Sequence, residues 1–337
     1  MSAPLRVGVI GLGARCVIAE NCHKATIPAE LVGGCDPNPA MRQRATEVLG
    51  DYPWFETLDE LLELGIDCAI VTSPDDTHED ITCALLEAGV AVYLEKPIAI
   101  TIEGSDRVLE TAYRTKTPLY VGHNMRHMAV VRILRQVVQD GLIGEVRAIW
   151  CRHFVGNGGD YYFKDWHADR SRTTGLLLQK AAHDIDVMNW LSDSVPERVV
   201  GMGDLMLYGK LSDRSGQKSD AVMSDWFSFD NWPPASLTGL NPVIDVEDVS
   251  MLMMRQASGT LISYEQCHFT PDYWRNYTVI GTEGRAENFG DGEGGVVRVW
   301  KHRSGWEPTG DIEIPIKGDA GGHDDADVAT MDEFLRF

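Results

Sequence analysis

The stretch Arg6-Val7-Gly8-Val9-Ile10-Gly11-Leu12-Gly13-Ala14-Arg15-Cys16 decides the fold. Arg6–Ile10 reads as a short buried strand, and the periodic segment Arg15–Ile27 reads as a helix. The Gly-x-Gly turn therefore sits between strand and helix, the setting in which a weak glycine pattern becomes a dinucleotide-binding fingerprint. Gly11 permits the tight turn, and Gly13 with Ala14, Arg15 and Cys16 brings backbone N–H groups to a pyrophosphate at a helix N-terminus. Cys16 stands where a third small residue is usual. Asp36 follows the second strand, 23 residues past Gly13, where a carboxylate accepts from ribose hydroxyls and repels a 2′-phosphate. NAD is thus expected, with NADP not excluded because Arg42 or Arg44 lies near. The competing reading of Asp36 is a solvated residue of the Asp36-Pro37 turn.

Outward from this unit, strands and helices alternate as a parallel sheet requires. Leu31–Cys35, Cys68–Thr72, Ala91–Leu94 and Leu119–Val121 read as strands, separated by helical patterns such as Pro39–Leu49. Thr57 with Glu60, and Thr77 with Asp80, have capping-box spacing. The expected class is α/β: an N-terminal doubly wound Rossmann domain over residues 1–123, and an α+β domain over 124–337 with a large open, mainly antiparallel sheet. In the second part Ala129–Gln139 is helical, Glu145–Phe154, Val246–Arg255 and Thr260–Gln266 are strands, and Ala257-Ser258-Gly259 closes a hairpin. The polar segment 209–245 exceeds an ordinary loop and is read as functional or partly disordered. Ala326–Phe337 has helical spacing but no stop signal, so the natural chain is expected to be longer.

Composition narrows the function. The 337 residues carry 51 acidic and 30 basic side chains, a net charge of −21, and 44% hydrophobic residues. That balance excludes intrinsic disorder and opposes nucleic acid and anionic membranes as partners. There is no run of ~18 apolar residues and no secretory pattern after Met1, so a cytoplasmic location is expected. Seven scattered cysteines without CxxC spacing imply reduced thiols and no zinc site. The acidic run Gly322-His323-Asp324-Asp325-Ala326-Asp327 is read as dipole-complementing residues before a helix; no metal is expected.

An ordered set of motifs makes the reading specific: Gly11–Cys16, Thr72-Ser73-Pro74 with His78, Glu95-Lys96-Pro97, Ile143-Gly144-Glu145-Val146, Lys180-Ala181-Ala182-His183-Asp184-Ile185-Asp186 and Ile280-Gly281-Thr282-Glu283-Gly284. Together they resemble the glucose–fructose oxidoreductase / inositol dehydrogenase (Gfo/Idh/MocA) family. The resemblance implies reversible hydride transfer between a nicotinamide and a sugar, inositol or related polyol, and a homodimer or homotetramer joined through the open sheet. It places Thr72, Ser73, Pro74, His78, Glu95, Lys96 and Asn124 beside the cofactor, and Lys96 and His183 at the reacting hydroxyl. Arg126, Trp166, His167, Gln179, Lys180 and Asp186 then line the substrate.

Physical readings of single residues run beside this. A lysine at the end of a parallel strand, partly buried, has its pKa moved toward neutrality and suits proton relay; a Glu-Lys surface pair is the alternative. Gln179 stands where relatives often carry Asp, which makes His183 less basic. Lys180 either touches substrate or pairs with Asp184 at i,i+4. Trp166 is core or pocket wall, His78 a helix-start residue or a cofactor neighbour. His268, Tyr273 and Arg275 reach either the pocket or a subunit contact. Two other functions fit the same fold: glycoside cleavage through transient oxidation, and NAD binding without catalysis.

Overall fold

The computed structural model describes residues 3–218, 220–318 and 324–337. Six parallel strands form the first sheet: β1 (Leu5–Ile10), β2 (Ala29–Cys35), β3 (Trp54–Phe55), β4 (Cys68–Val71), β5 (Ala91–Leu94) and β6 (Leu119–Val121). Their order is β3-β2-β1-β4-β5-β6. The chain reverses its winding between β1 and β4, so the ligand crevice of such a sheet opens at the carboxyl ends of those two strands. Every residue of β4 is buried, as a strand with helices on both faces requires.

Local chemistry explains the helices. Asn38 caps Pro39–Leu49, with Pro39 at the first turn, and Thr57 and Glu60 form the expected reciprocal capping box. Thr77 does not cap: its hydroxyl donates to Pro74 O and also contacts the Ser73 hydroxyl, both at 2.7 Å. The helix after the glycine turn runs Ala14–Lys24 and is a 3₁₀ helix. Cys16, Ala19 and Cys22, three residues apart, are buried on one side of it, which suits three residues per turn better than 3.6.

The second sheet has eight strands: β7 (Val146–Val155), β8 (Pro196–Asp204), β9 (Val249–Gln256), β10 (Leu261–Cys267), β11 (Tyr273–Gly281), β12 (Arg285–Phe289), β13 (Val296–Trp300) and β14 (Ile312–Pro315). They are ordered β14-β13-β12-β11-β7-β10-β9-β8. Only the β7–β10 pair is parallel. The hairpin at Ala257-Ser258-Gly259 joins β9 to β10 as expected. Helices Ala129–Gln139 and Ala181–Ser192 cover one face, burying Val131, Leu134, Val187 and Leu191 against Ile149, Ile262 and Val279.

Two departures from the sequence reading matter for the site. The terminal helix Asp324–Arg336 bridges the two domains: Ala326 lies in the core of the second, whereas Met331, Phe334 and Leu335 enter the core of the first, with Val7, Leu12 and Tyr93. Segment 209–245, described except at residue 219, is built rather than loose. Leu237 and Leu240 are buried in a cluster with Phe163 and Tyr208, and Val222 joins the core of the first domain. Among the described residues no helix is long and apolar enough to cross a membrane.

Candidate active site

The dinucleotide cradle is formed by the loops after β1, β2 and β4. Gly11 has φ +85°, and a Cβ there would lie 2.4 Å from Ser73 N, so only glycine lets the two loops touch. Thr72 Oγ donates to Gly11 O at 2.7 Å and locks the contact. A Cβ on Gly13 would meet nothing within 4 Å, leaving an open backbone face at the helix start for a phosphate to approach. Asp36 is held by Leu12 N and Asn38 N, each 2.8 Å from one carboxylate oxygen. Each oxygen keeps lone-pair capacity for a ribose hydroxyl. Arg42 turns back onto Asp36 O at 2.6 Å and Arg44 pairs with Asp225 at 3.4 Å, so neither guanidinium is free for a 2′-phosphate. These features fit a dinucleotide.

Arg15 does something the motif does not announce. Its Nε donates to Glu95 at 2.8 Å, and its two terminal nitrogens grip Asp327 at 2.5 and 2.8 Å. Asn124 donates to the same Asp327 at 2.8 Å. The side chains of Arg15 and Asn124 thus tie the glycine loop, the β5 end, the start of the second domain and the terminal helix together. Asp327 is therefore an ion-pair anchor inside that helix rather than a residue preceding it; Gly322 and His323 lie outside the described residues. Among the described residues no group of three or more His, Cys, Asp or Glu is placed to hold a metal ion. Cys16 faces the core, and burial pushes its thiol up to about 12.

Lys96 follows β5, and its Nζ donates to Gln179 O at 2.6 Å. Burial lowers its pKa to about 8, against the opposing pull of Asp75 and Glu95. The helical chain is interrupted beside this contact. Leu176–Gln179 and Ala181–Ser192 are separate, with Lys180 at the break (φ −102°, ψ −44°), and the Gln179 carbonyl bonds Lys96 rather than a following N–H. His183 is buried in the first turn beyond the break.

Sequence reading missed Asp75. It is buried just after β4, accepts from Thr173 Oγ at 3.0 Å, and has its pKa raised by burial despite Lys96, His78 and His167. Its position one residue past Thr72-Ser73-Pro74, on the same rim of strand ends, was the available signal. His78 ties that rim together, with Nδ1 2.7 Å from Pro97 O and Nε2 2.9 Å from Ser73 O.

Arg126 and Asp186 engage each other, at 2.7 and 2.6 Å, on the exposed side of this corner. His167 is buried, stacked at 3.7 Å on the half-buried Trp166, with Arg172 over the indole. Of the two alternatives for Lys180, the helix pair with Asp184 does not form. Asp184, fully buried, pairs instead with Arg275 Nε at 3.1 Å and His153 Nδ1 at 3.2 Å, and accepts from the hydroxyls of Tyr264 and Tyr277. Register explains this: Tyr264 and Tyr277 are the two strand partners of Cys151, so all three side chains face the helix carrying Asp184. Lys180 turns the other way. Its Nζ lies 3.3 Å from Tyr273 OH and packs over the rings of Tyr162 and Tyr273.

A doubly wound sheet with an acidic ribose site, an open glycine cradle and a buried lysine of lowered pKa at the crevice defines a dinucleotide-linked oxidoreductase. Residues 5–123 match the model of an oxidoreductase family with an NAD-binding Rossmann fold, and residues 131–287 match the GFO/IDH/MocA C-terminal domain. The chain belongs to the Gfo/Idh/MocA oxidoreductase family. It is 26% identical over 299 residues to the oxidoreductase YteT of Bacillus subtilis (strain 168), covering 77% of this chain and 70% of that one. Inositol 2-dehydrogenase of Serratia proteamaculans (strain 568) is 30% identical over 197 residues, 56% of this chain and 55% of the relative. The fold also matches a levoglucosan dehydrogenase solved with NADH and levoglucosan, with TM-score 0.78 and 18% identity over 98% of this chain and 89% of that one.

Proposed function

We propose that this protein is an NAD-dependent dehydrogenase of a sugar, inositol or related polyol derivative, oxidising one secondary hydroxyl. The observation that carries the reading is Lys96: a half-buried amine with a pKa of about 8, held at the carboxyl end of β5 by the Gln179 carbonyl. Near neutral pH such an amine is divided between its two protonation states, so it can take a proton from a hydroxyl and return it. NAD, when bound, supplies the hydride acceptor. The chain's own work is positioning. Asp36 and the glycine loop set the cofactor's register, Lys96 with His183 handles the hydroxyl proton, and Gln179, Lys180 and Trp166 wall the substrate. The dehydrogenases among the relatives support the substrate class.

NAD is favoured over NADP because Asp36 occupies the ribose site while Arg42 and Arg44 are both engaged. The test is absorbance at 340 nm with NAD⁺ across a panel of aldoses, inositols and sugar acids. Reduction with at least one member, and at least tenfold weaker with NADP⁺, is the expected result; no reduction across the panel overturns the reading.

We further propose self-association through the outer face of the eight-stranded sheet, where Met202 opposes Met251 and Val200 opposes Met253. Met202 is 77% exposed and Val200 and Met253 are each 65% exposed, an apolar patch of the kind that marks interfaces. Light scattering should give a mass of at least two chains, and Met202→Glu with Met253→Glu should reduce it to one. The seven unpaired cysteines, six of them buried, support a reducing, cytoplasmic setting.

A further inference from the structure

Lys180 is 7% exposed, and among the described residues no carboxylate lies within ion-pair distance of it. The two carboxylates of the neighbourhood face elsewhere: Asp184 meets Arg275 and His153, and Asp291 lies 4.0 Å from Arg275. A buried ammonium held only by phenols is expensive unless an anion completes it.

Around it, buried polar atoms also lack partners. Both ring nitrogens of His268, which is fully buried, have none. Nor does NH2 of Arg275, 2% exposed, although NH1 lies 3.4 Å from Tyr273 OH. A purely structural polar network would close its own hydrogen bonds; this one leaves donors open on the side that bears Lys180 and Tyr273. Tyr162 packs edge-on to His268 and its ring also lies under Lys180, so these groups share one wall. That wall adjoins the chemistry, because the residue before Lys180 is Gln179, whose carbonyl binds Lys96 at 2.6 Å. Tyr273, 41% exposed, stands at its mouth.

We propose that Lys180, Tyr273, Arg275 and His268 form an anion subsite, and that the substrate is a sugar acid whose carboxylate is bound there. The inference rests on the dehydrogenase reading for where the substrate sits. A carboxylate fits better than a phosphate dianion, since Lys180 is the one cation of the wall without a carboxylate partner. Lys180 supplies the charge, the Tyr273 hydroxyl and Arg275 NH2 fix the oxygens, and a neutral sugar leaves these donors unpaired.

The experiment is calorimetric titration of the protein held with excess NADH. The ligands are glucuronate, galacturonate and gluconate, each against its neutral counterpart, with glucose 6-phosphate as the dianion arm. At least one acid should bind tenfold or more tightly than its neutral partner and than the phosphate, and Lys180→Met should abolish that preference. Tyr273→Phe, which keeps the ring, should weaken the acid three- to tenfold and serves if Lys180→Met does not fold. Equal binding of acid and neutral sugar, tighter binding of the phosphate, a preference that survives Lys180→Met, or no acid bound overturns the proposal. Lys180-dependent binding without NADH formation from NAD⁺ by that acid would leave the subsite standing and remove the dehydrogenase reading instead.

Discussion

The two buried lysines of the site are held in opposite ways. Lys96 has Asp75 and Glu95 nearby, yet burial prevails and lowers its pKa to about 8. Lys180 has no carboxylate partner among the described residues; burial and Arg275 oppose its charge, while Tyr162 and Tyr273 favour it and its pKa is raised. The difference teaches a division of labour. An amine that is half-protonated near neutrality exchanges protons, whereas one that stays charged holds an anion. The first belongs to the nucleotide domain and the second to the sheet domain, so the proposed site assigns proton chemistry to one end of the substrate and charge recognition to the other.

The sharpest way to break that contrast is to remove each amine and compare constants. Lys96→Met should lower kcat about 1,000-fold while KM changes little, and Lys180→Met should mainly raise KM. Matching effects of the two variants on kcat and KM would erase the distinction.

Next in size is the tie that holds the Lys96 side together. Asp327→Ala leaves Arg15 with Glu95 alone and removes the partner of Asn124. Arg15 is partly exposed, at 32% of its side chain, which discounts the full cost of breaking a buried pair. A loss of about 2 kcal/mol is expected in urea denaturation. An unchanged midpoint would mean that Met331, Phe334 and Leu335 alone dock the terminal helix.

Asp75 sharpens the comparison from the side of pH. In the direction of alcohol oxidation the neutral amine of Lys96 is the proton acceptor, so kcat/KM should rise with pH and level off above about 8. Asp75 raises that pKa by stabilising the ammonium, so Asp75→Asn should move the limb to lower pH, by roughly one unit or less. A shift to higher pH, or none, would show that the limb belongs to another group.

The two lysines also mark what the sequence shows and hides. In the first domain the chemistry sits at strand ends: Gly11 after β1, Asp36 after β2, Asp75 after β4 and Lys96 after β5. The fold fixes that rim, so alternation of strands and helices is enough to find it, and Asp75 lies on it one residue beyond the Thr72-Ser73-Pro74 motif. In the second domain Lys180 on a helix break meets Tyr162 from a one-turn helix and Tyr273 from β11, Lys180 and Tyr273 being 93 positions apart in the chain. No local pattern records such a meeting; i,i+4 spacing offered Lys180 either the substrate or Asp184, and the second alternative needs a continuous helix through Lys180. At the break the Gln179 carbonyl accepts a tertiary bond from Lys96. The same limitation hid the partners of Arg15 and the docking of the terminal helix on the first domain.

The smallest effect expected is at the segment joining the two domains. Trp226 donates to Asp160 O at 2.6 Å and Asn231 to the Asp160 carboxylate at 2.9 Å, while Asp225 pairs with Arg44 on helix Pro39–Leu49 at 3.4 Å. The first contacts anchor the segment to the second domain and the last reaches the first. An exposed pair of this length contributes less than about 1 kcal/mol, so Asp225→Ala should leave the melting temperature nearly unchanged. It does release Arg44, the cation just beyond the Asp36 turn, and a freed guanidinium there attracts a 2′-phosphate that Asp36 still repels. NADP⁺ should therefore gain on NAD⁺ by no more than about fivefold in kcat/KM. A larger gain would make Asp225, rather than Asp36, the main guard of cofactor choice, and would place cofactor selection in the segment between the domains instead of on the strand-end rim.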